Sequence, residues 1–309
     1  MKRKIMLILM FAVLIVCLTA CQNSSDEIRQ AKQEGQLAVV TSFYPMYDFA
    51  LKIGGEKVKV VNLVPAGTEP HDWEPAPTDI ACLEQAEVFI YNGAGMEHWV
   101  DDVVGALDHE ELIKVEASQG IALLESDHSH SDGSEEMSDP HVWLDPENAK
   151  VQMNNILEAF TKADPDHADY YKKQYETYAG KFDELDQEFT AALSEVSDRN
   201  VIVAHEAFGY LCNAYGLRQI GIEGLAPDSE PDPARMEEIV RFAKENQVRT
   251  IFFEELVSPK VAETIAREIG AETQVLNPLE GLSEEQLKAG EDYLSVMREN
   301  LKMLQAALK

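Results

Sequence analysis

Apolar and polar positions alternate in a way that predicts strands and helices taking turns along the chain. Leu37–Phe43 is a short β-rich run, followed by Tyr44-Pro45 and a helical pattern through Met46, Phe49, Ala50 and Ile53 that stops at Gly54-Gly55. Val58–Val64 reads as a second strand, Thr78–Gln85 as helix, Val88–Tyr91 as strand and Met96–Leu107 as helix. The same style returns later: strands Val201–Ala204 and Gln219–Ile222, helix Pro233–Glu245, strand Thr250–Phe253, helix Lys260–Ile269, strand Glu272–Leu276 and a closing helix Tyr293–Leu308. Strands alternating with helices predict βαβ units and parallel sheets.

Between these two regions the pattern is purely helical. Asp145 is placed as an N-cap with Pro146 at the first helical position, and two long stretches follow as far as Val196, separated by Asp164-Pro165. The second, from Asp166, has no proline and a single glycine, Gly180. It carries Tyr171, Tyr175, Tyr178, Phe182, Leu185 and Phe189 at three- and four-residue spacings. At 1.5 Å per residue it would be about 45 Å long, enough to brace two domains. The sustained heptads of a coiled coil are missing. The expected fold is α/β, two βα lobes with parallel sheets joined by one long helix: an N-terminal lobe over 37–165, the linking helix over 166–197 and a C-terminal lobe over 198–309. The length of 309 residues accommodates two such cores.

The chain start adds a compartment. Lys2, Arg3 and Lys4 precede an apolar run from Ile5 to Val16, the charged and hydrophobic regions of a secretory signal over 1–20, too short to span a bilayer. The run ends Leu18-Thr19-Ala20-Cys21, which resembles a lipoprotein cleavage site with Cys21 as the lipidated N-terminus. Residues 21–36 are polar and are expected to form a disordered tether. The mature protein is thus expected outside the cytoplasm, lipid-anchored to the cell membrane. Its formal charge of −30 becomes −33 once three basic residues are removed, which excludes nucleic acid as a partner. Cys82 and Cys212, the cysteines outside the export segment, fall in different halves, so a disulfide between them is not expected.

The candidate chemistry lies in the histidines. His141 sits between Asp139-Pro140 and Asp145-Pro146, two steps that stiffen the backbone around one imidazole. His71, in Thr68-Glu-Pro-His-Asp-Trp-Glu-Pro75, follows the strand ending at Val64, and His205 directly follows another strand. Loops after strands of an open α/β sheet are where ligands bind. An acidic stretch before Asp139 carries His128 and His130, a candidate accessory metal loop. His98, His109 and His167 lie in helical or charged surroundings and are assigned to surface or packing roles.

Five segments together resemble the solute-binding proteins of bacterial zinc and manganese ABC importers, the group that includes zinc-binding lipoproteins of Gram-positive bacteria. They are Pro70-His71-Asp-Trp-Glu-Pro75, Tyr91-Asn-Gly-Ala-Gly-Met-Glu97, Asp139-Pro-His-Val-Trp-Leu-Asp-Pro146, His205-Glu-Ala-Phe-Gly-Tyr210 and Leu276-Asn-Pro-Leu-Glu-Gly-Leu282. The resemblance runs from Thr41 to the C-terminus. It implies one metal ligand from each of four segments: His71, His141, His205 and Glu280. Manganese-type members carry Glu in the third segment and Asp in the fourth, so His205 with Glu280 is the zinc-type pair. Three imidazoles and one carboxylate suit Zn²⁺, and Mn²⁺ or iron on the same scaffold stands as the alternative.

The implied function is an extracytoplasmic zinc-binding component that captures the ion between two metal-binding lobes. Its partners would be an ABC permease and the cytoplasmic ATPase that powers it, and it is expected to act as a monomer. A surface adhesin, as some members have been described, is the further class. Enzyme readings lack their motifs. The position four after His205 is Gly209 rather than a second histidine, Gly93-Ala-Gly95-Met-Glu-His98 lacks a third dinucleotide-loop glycine, and no Gly-x-Ser-x-Gly elbow occurs.

Overall fold

The computed structural model describes residues 24–125, 138–227, 231 and 233–309. The signal segment over 1–20, Cys21, His128 and His130 lie outside the described residues.

The first lobe is built on β1 (Leu37–Thr41), β2 (Val58–Asn62), β3 (Val88–Tyr91) and β4 (Ile113–Glu116), all parallel in the order β2-β1-β3-β4. β1 is buried at every position, as its unbroken apolar run requires of a central parallel strand covered on both faces. One face is covered by α1 (Ser24–Glu34) and α2 (Tyr44–Gly54) is also present in this lobe, with α3 (Pro77–Leu83) and α4 (Val100–Ala106) completing the crossovers. The second lobe repeats the plan with β5 (Asn200–Val203), β6 (Arg218–Gly221), β7 (Thr250–Phe253) and β8 (Glu272–Val275) in the order β6-β5-β7-β8. α5 (Pro146–Ala163) packs on the first lobe and α6 (Ala168–Ser194) runs between the lobes; the second lobe carries α7 (Gly209–Ala214), α8 (Pro233–Glu245), α9 (Lys260–Ile269), α10 (Glu284–Ala289) and α11 (Tyr293–Ala307).

The tether expected over 21–36 is corrected from Ser24 onward. α1 buries Ser25, Ile28 and Ala31 at three-residue steps, and Ile28 and Ala31 join a cluster with Val40, Val61, Cys82, Leu83 and Phe89. Glu27 adds an ion pair to Lys59 at 2.7 Å. A polar sequence forms an ordered helix here because the lobe supplies the partner for its few apolar positions. β4 went unpredicted for a related reason: it is a four-residue edge strand with only Val115 buried.

The linking helix α6 spans 27 residues, about 40 Å. It starts two residues later than expected because Pro165–His167 form a 3₁₀ turn. α6 packs on α2 and α5 from the first lobe and on α11 from the second. Phe49 of α2, Phe182 of α6 and Tyr293 of α11 meet with ring centroids 5.9, 5.1 and 5.1 Å apart. One hydrophobic core therefore runs through both lobes and the brace. Asp145 caps α5 as expected, accepting from the Glu147 N–H at 2.9 Å. Cys82 and Cys212 are buried free thiols. Among the described residues no helix is long and apolar enough to cross a membrane.

Candidate metal centre

Each candidate ligand stands on a loop at the carboxyl edge of a sheet or between the lobes. His71 lies in the segment between β2 and α3, and His141 immediately precedes a 3₁₀ turn, Val142–Leu144, that leads into α5. His205 stands two residues past β5, and Glu280 lies between β8 and α10. Glu280 Oε1 is 2.9 Å from His141 Nε2, 3.2 Å from His71 Nε2 and 3.8 Å from His205 Nε2. One ligand atom from each of the four lies within 4.8 Å of all the others. Tetrahedral donors bound to one ion at bonds near 2.05 Å would stand about 3.3 Å apart, so small adjustments bring all four onto one ion. His141, His205 and Glu280 are buried, and the His71 side chain is 10% exposed.

The local sequence explains this convergence. Asp139 Oδ1 accepts from the His141 backbone N–H at 2.9 Å and from its Nδ1 at 2.7 Å, directing Nε2 inward. A Cβ on Gly209 would lie 2.4 Å from Asp139 Oδ2, so a larger residue here would push that carboxylate from its place behind His141. Tyr210 donates to the Asp139 carbonyl at 2.8 Å and accepts from the Leu124 N–H at 2.9 Å, pinning the segments on either side of 126–137. In the second lobe, Asn277 Oδ1 accepts from the Leu279 N–H at 2.7 Å. Asn300 of α11 in turn bonds the Asn277 backbone at 2.9 and 2.7 Å. This network holds Leu279 at φ +61°, a left-handed conformation uncommon for leucine, immediately before Glu280. Trp143 Nε1 donates to the Pro278 carbonyl at 2.8 Å, and Tyr293 donates to the Trp143 carbonyl, so the two ligand loops brace each other.

The electrostatics show mutual compensation. Burial alone would push the Glu280 carboxyl up, but the imidazoles of His205, His71 and His141 outweigh it and hold Glu280 well below the usual range. Burial likewise opposes charge on His141, yet Asp139 and Glu280 raise it to about 10. His205 is raised in spite of its burial, through Glu280 and Glu254. His71 has no carboxylate at Nδ1 among the described residues, and burial lowers it. Glu280 Oε2 is buried without a hydrogen-bond partner among the described residues, while Oε1 faces the three imidazoles. An anionic oxygen and three convergent imidazole nitrogens form a donor set for a borderline transition-metal cation.

All four residues expected as ligands are therefore brought together. His98 stands apart, half exposed and 3.8 Å from Glu74, and His167 pairs with Asp164 at 2.7 Å. Sequence reasoning missed Glu254, whose Oε1 lies 3.0 Å from His205 Nδ1. Its signal was position, since it is the first residue past β7 on the carboxyl edge. It missed Asn277 and Asn300 as well, whose roles are visible only once α11 is placed beside the ligand loop.

Two parallel-sheet lobes closing on a buried three-histidine, one-glutamate cluster define a two-lobed solute-binding protein for a transition-metal ion. The chain belongs to the family of the periplasmic zinc-uptake complex component A, ZnuA, whose model matches residues 39–307. It is 41% identical over 304 residues to the high-affinity zinc uptake system protein ZnuA of Bacillus subtilis, covering 96% of this chain and 95% of that one. It is 38% identical to the zinc-binding lipoprotein AdcA of Streptococcus pneumoniae, of whose longer chain it spans 60%. The crystal structure of the Zn(II)-bound ZnuA-like domain of that AdcA matches with a TM-score of 0.77, covering 89% of this chain and 99% of the domain. The laminin-binding protein Lmb of Streptococcus agalactiae, described as a bifunctional protein with adhesin and metal transporting activity, matches at 34% identity with a TM-score of 0.81. That match covers 89% of this chain and all of Lmb. The chain is accordingly a zinc-binding, extracytoplasmic solute-binding component of an ABC importer.

Proposed function

We propose that His71, His141, His205 and Glu280 hold one zinc ion as cargo, and that the protein delivers it to a membrane permease powered by a cytoplasmic ATPase. The observation that carries this assignment is the convergence of the four donor atoms within 4.8 Å. Two of the four residues come from each lobe, so an ion among them ties the lobes together and its binding free energy favours their closed arrangement. Release then requires only that one lobe's pair withdraw.

Four protein donors fill a tetrahedral shell and leave no position for an activated water, so the centre stores an ion and catalyses nothing. Zinc is favoured over manganese because three of the four donors are imidazole nitrogens, and affinities rise from manganese to zinc in such sites. Cys21 is read as the lipid attachment that keeps the protein, as a monomer, at the membrane, and His128 and His130 as accessory metal groups.

Metal analysis of the purified protein, followed by zinc titration and manganese competition, tests the assignment. One tightly bound zinc per chain that manganese fails to displace is the expected result. Preferential retention of manganese, or zinc binding unaffected by His141→Ala and His205→Ala, would refute it.

A further inference from the structure

Glu254 is buried to 3% exposure, yet it lies outside the four-residue donor cluster. Its position follows from strand register. β5 pairs with β7 so that Val203 faces Phe252, and the Ala204 N–H continues the ladder to the Phe252 carbonyl at 2.9 Å. Two residues further along each strand, His205 meets Glu254, with Oε1 3.0 Å from Nδ1. The other carboxylate oxygen, Oε2, is buried with no hydrogen-bond partner among the described residues. The His205–Glu254 pair lines a small gap that is otherwise apolar, walled by Val203, Ala204, Phe208, Phe252, Phe253 and Leu276. A buried carboxylate with one satisfied oxygen is costly to a fold, so a role beyond packing is called for.

We propose that Glu254 is a positioning residue for zinc capture, fixing His205 as an Nε2 ligand. This rests on the reading of His205 as a ligand. The carboxylate accepts the Nδ1 proton, which leaves Nε2 as the nitrogen that faces Glu280 and the ion. Its charge also makes that nitrogen a stronger donor. The contact is needed because His205 Nε2 has a competitor. It donates to the Leu225 carbonyl at 2.9 Å, and the ion must take the nitrogen from that oxygen. Without Glu254 no contact holds Nδ1, and the ring is free to turn Nε2 away from Glu280. Asp139 does for His141 in the first lobe what Glu254 does here, so the two buried imidazoles, one from each lobe, are each set by a carboxylate.

The test compares Glu254→Leu, Glu254→Gln and His205→Ala in the full chain, by zinc titration, by the visible spectrum of the cobalt(II)-substituted protein and by thermal unfolding without metal. Carboxylates behind metal-bound histidines typically contribute 10–100-fold in affinity. Glu254→Leu is expected to lose about that much and to shift the cobalt bands, while its metal-free melting temperature stays level or rises. Glu254→Gln, whose amide oxygen still accepts from Nδ1, is expected to recover most of the affinity. Glu254→Leu with zinc affinity within about threefold of the parent overturns the proposal, as does Glu254→Gln as impaired as Glu254→Leu with both melting early. Normal zinc binding by His205→Ala would instead remove the ligand assignment on which the proposal stands.

Discussion

Glu280 Oε1 stands 2.9 Å from His141 Nε2, although 139 residues and a lobe boundary separate them. The contact is held from both sides, by Asp139 behind the imidazole and by the Asn277–Asn300 network behind the glutamate loop. An ion bound between these two groups therefore reports on the whole fold. A ligand at a thousandfold excess over its Kd stabilises by about 4 kcal/mol, which for a chain of this size corresponds to a shift on the order of 10 °C. Zinc should raise the melting temperature of the parent by that order, and by less than half as much in Glu280→Ala or His141→Ala. Calorimetry with and without zinc checks this, and a full shift in either variant would contradict it.

Proton release should accompany capture. In the metal-free protein His141 is held at about 10, against an ordinary 6.5, so it is protonated at neutral pH. Zinc needs the Nε2 lone pair, so binding at pH 7 must expel a proton. Each proton expelled makes affinity fall about tenfold per pH unit as pH drops. Calorimetric titration at pH 7 in buffers of different ionisation enthalpy should show heats that scale with the buffer. Buffer-independent heats would count against the pairing.

The same pairing makes metal-free stability move the other way. A group raised in the fold contributes stability that is complete below its unfolded value and is lost as pH rises through its folded value. His141 thus stabilises the metal-free protein fully below 6.5, and the contribution fades as pH approaches about 10. Denaturant unfolding with a chelator present should show parent stability falling across that window, and a shallower slope in His141→Ala.

A second buried ionic group lies away from the centre. Lys52 of α2 bonds Asp48 at 2.6 and 2.7 Å and reaches Asp292, the cap of α11, at 2.9 Å. Its ammonium also sits 5.6 Å from the Tyr178 ring of α6. Lys52→Ala strands the Asp48 carboxylate in the interior, and breaking such a pair costs about 3–5 kcal/mol. Lys52→Met combined with Asp48→Leu should recover most of that loss, because the one carboxylate left unpaired, Asp292, is partly exposed to solvent. Equal destabilisation by the single and the double variant would argue against a buried ion pair.

The ring trio of Phe49, Phe182 and Tyr293 predicts limited lobe motion, since α6 joins the cores of both lobes. Small-angle scattering with and without zinc should give nearly the same radius of gyration. A large contraction on adding zinc would contradict the brace.

Much of this was legible in the sequence. β3, α8, β7 and α9 fall on the predicted residues because each is a compact apolar pattern bounded by clear breaks. The four candidate ligands could be singled out because His71, His141 and Glu280 sit in distinctive Pro-bearing segments and His205 directly follows a strand. What failed depends on partners distant in the chain. Ile28 and Ala31 look like stray apolar residues until β1 and β2 offer them a surface, and Ile113–Glu116 becomes a strand only beside β3. Glu254 is one of many carboxylates until strand register sets it against His205.

X-ray absorption at the zinc edge, on protein loaded with one equivalent, tests the central assignment most directly. The predicted shell is three imidazole nitrogens and oxygen from one carboxylate at about 2.0–2.2 Å, reduced by one imidazole in His205→Ala. A shell of five or six oxygens, or one unchanged in that variant, would show that the ion is held somewhere other than among His71, His141, His205 and Glu280.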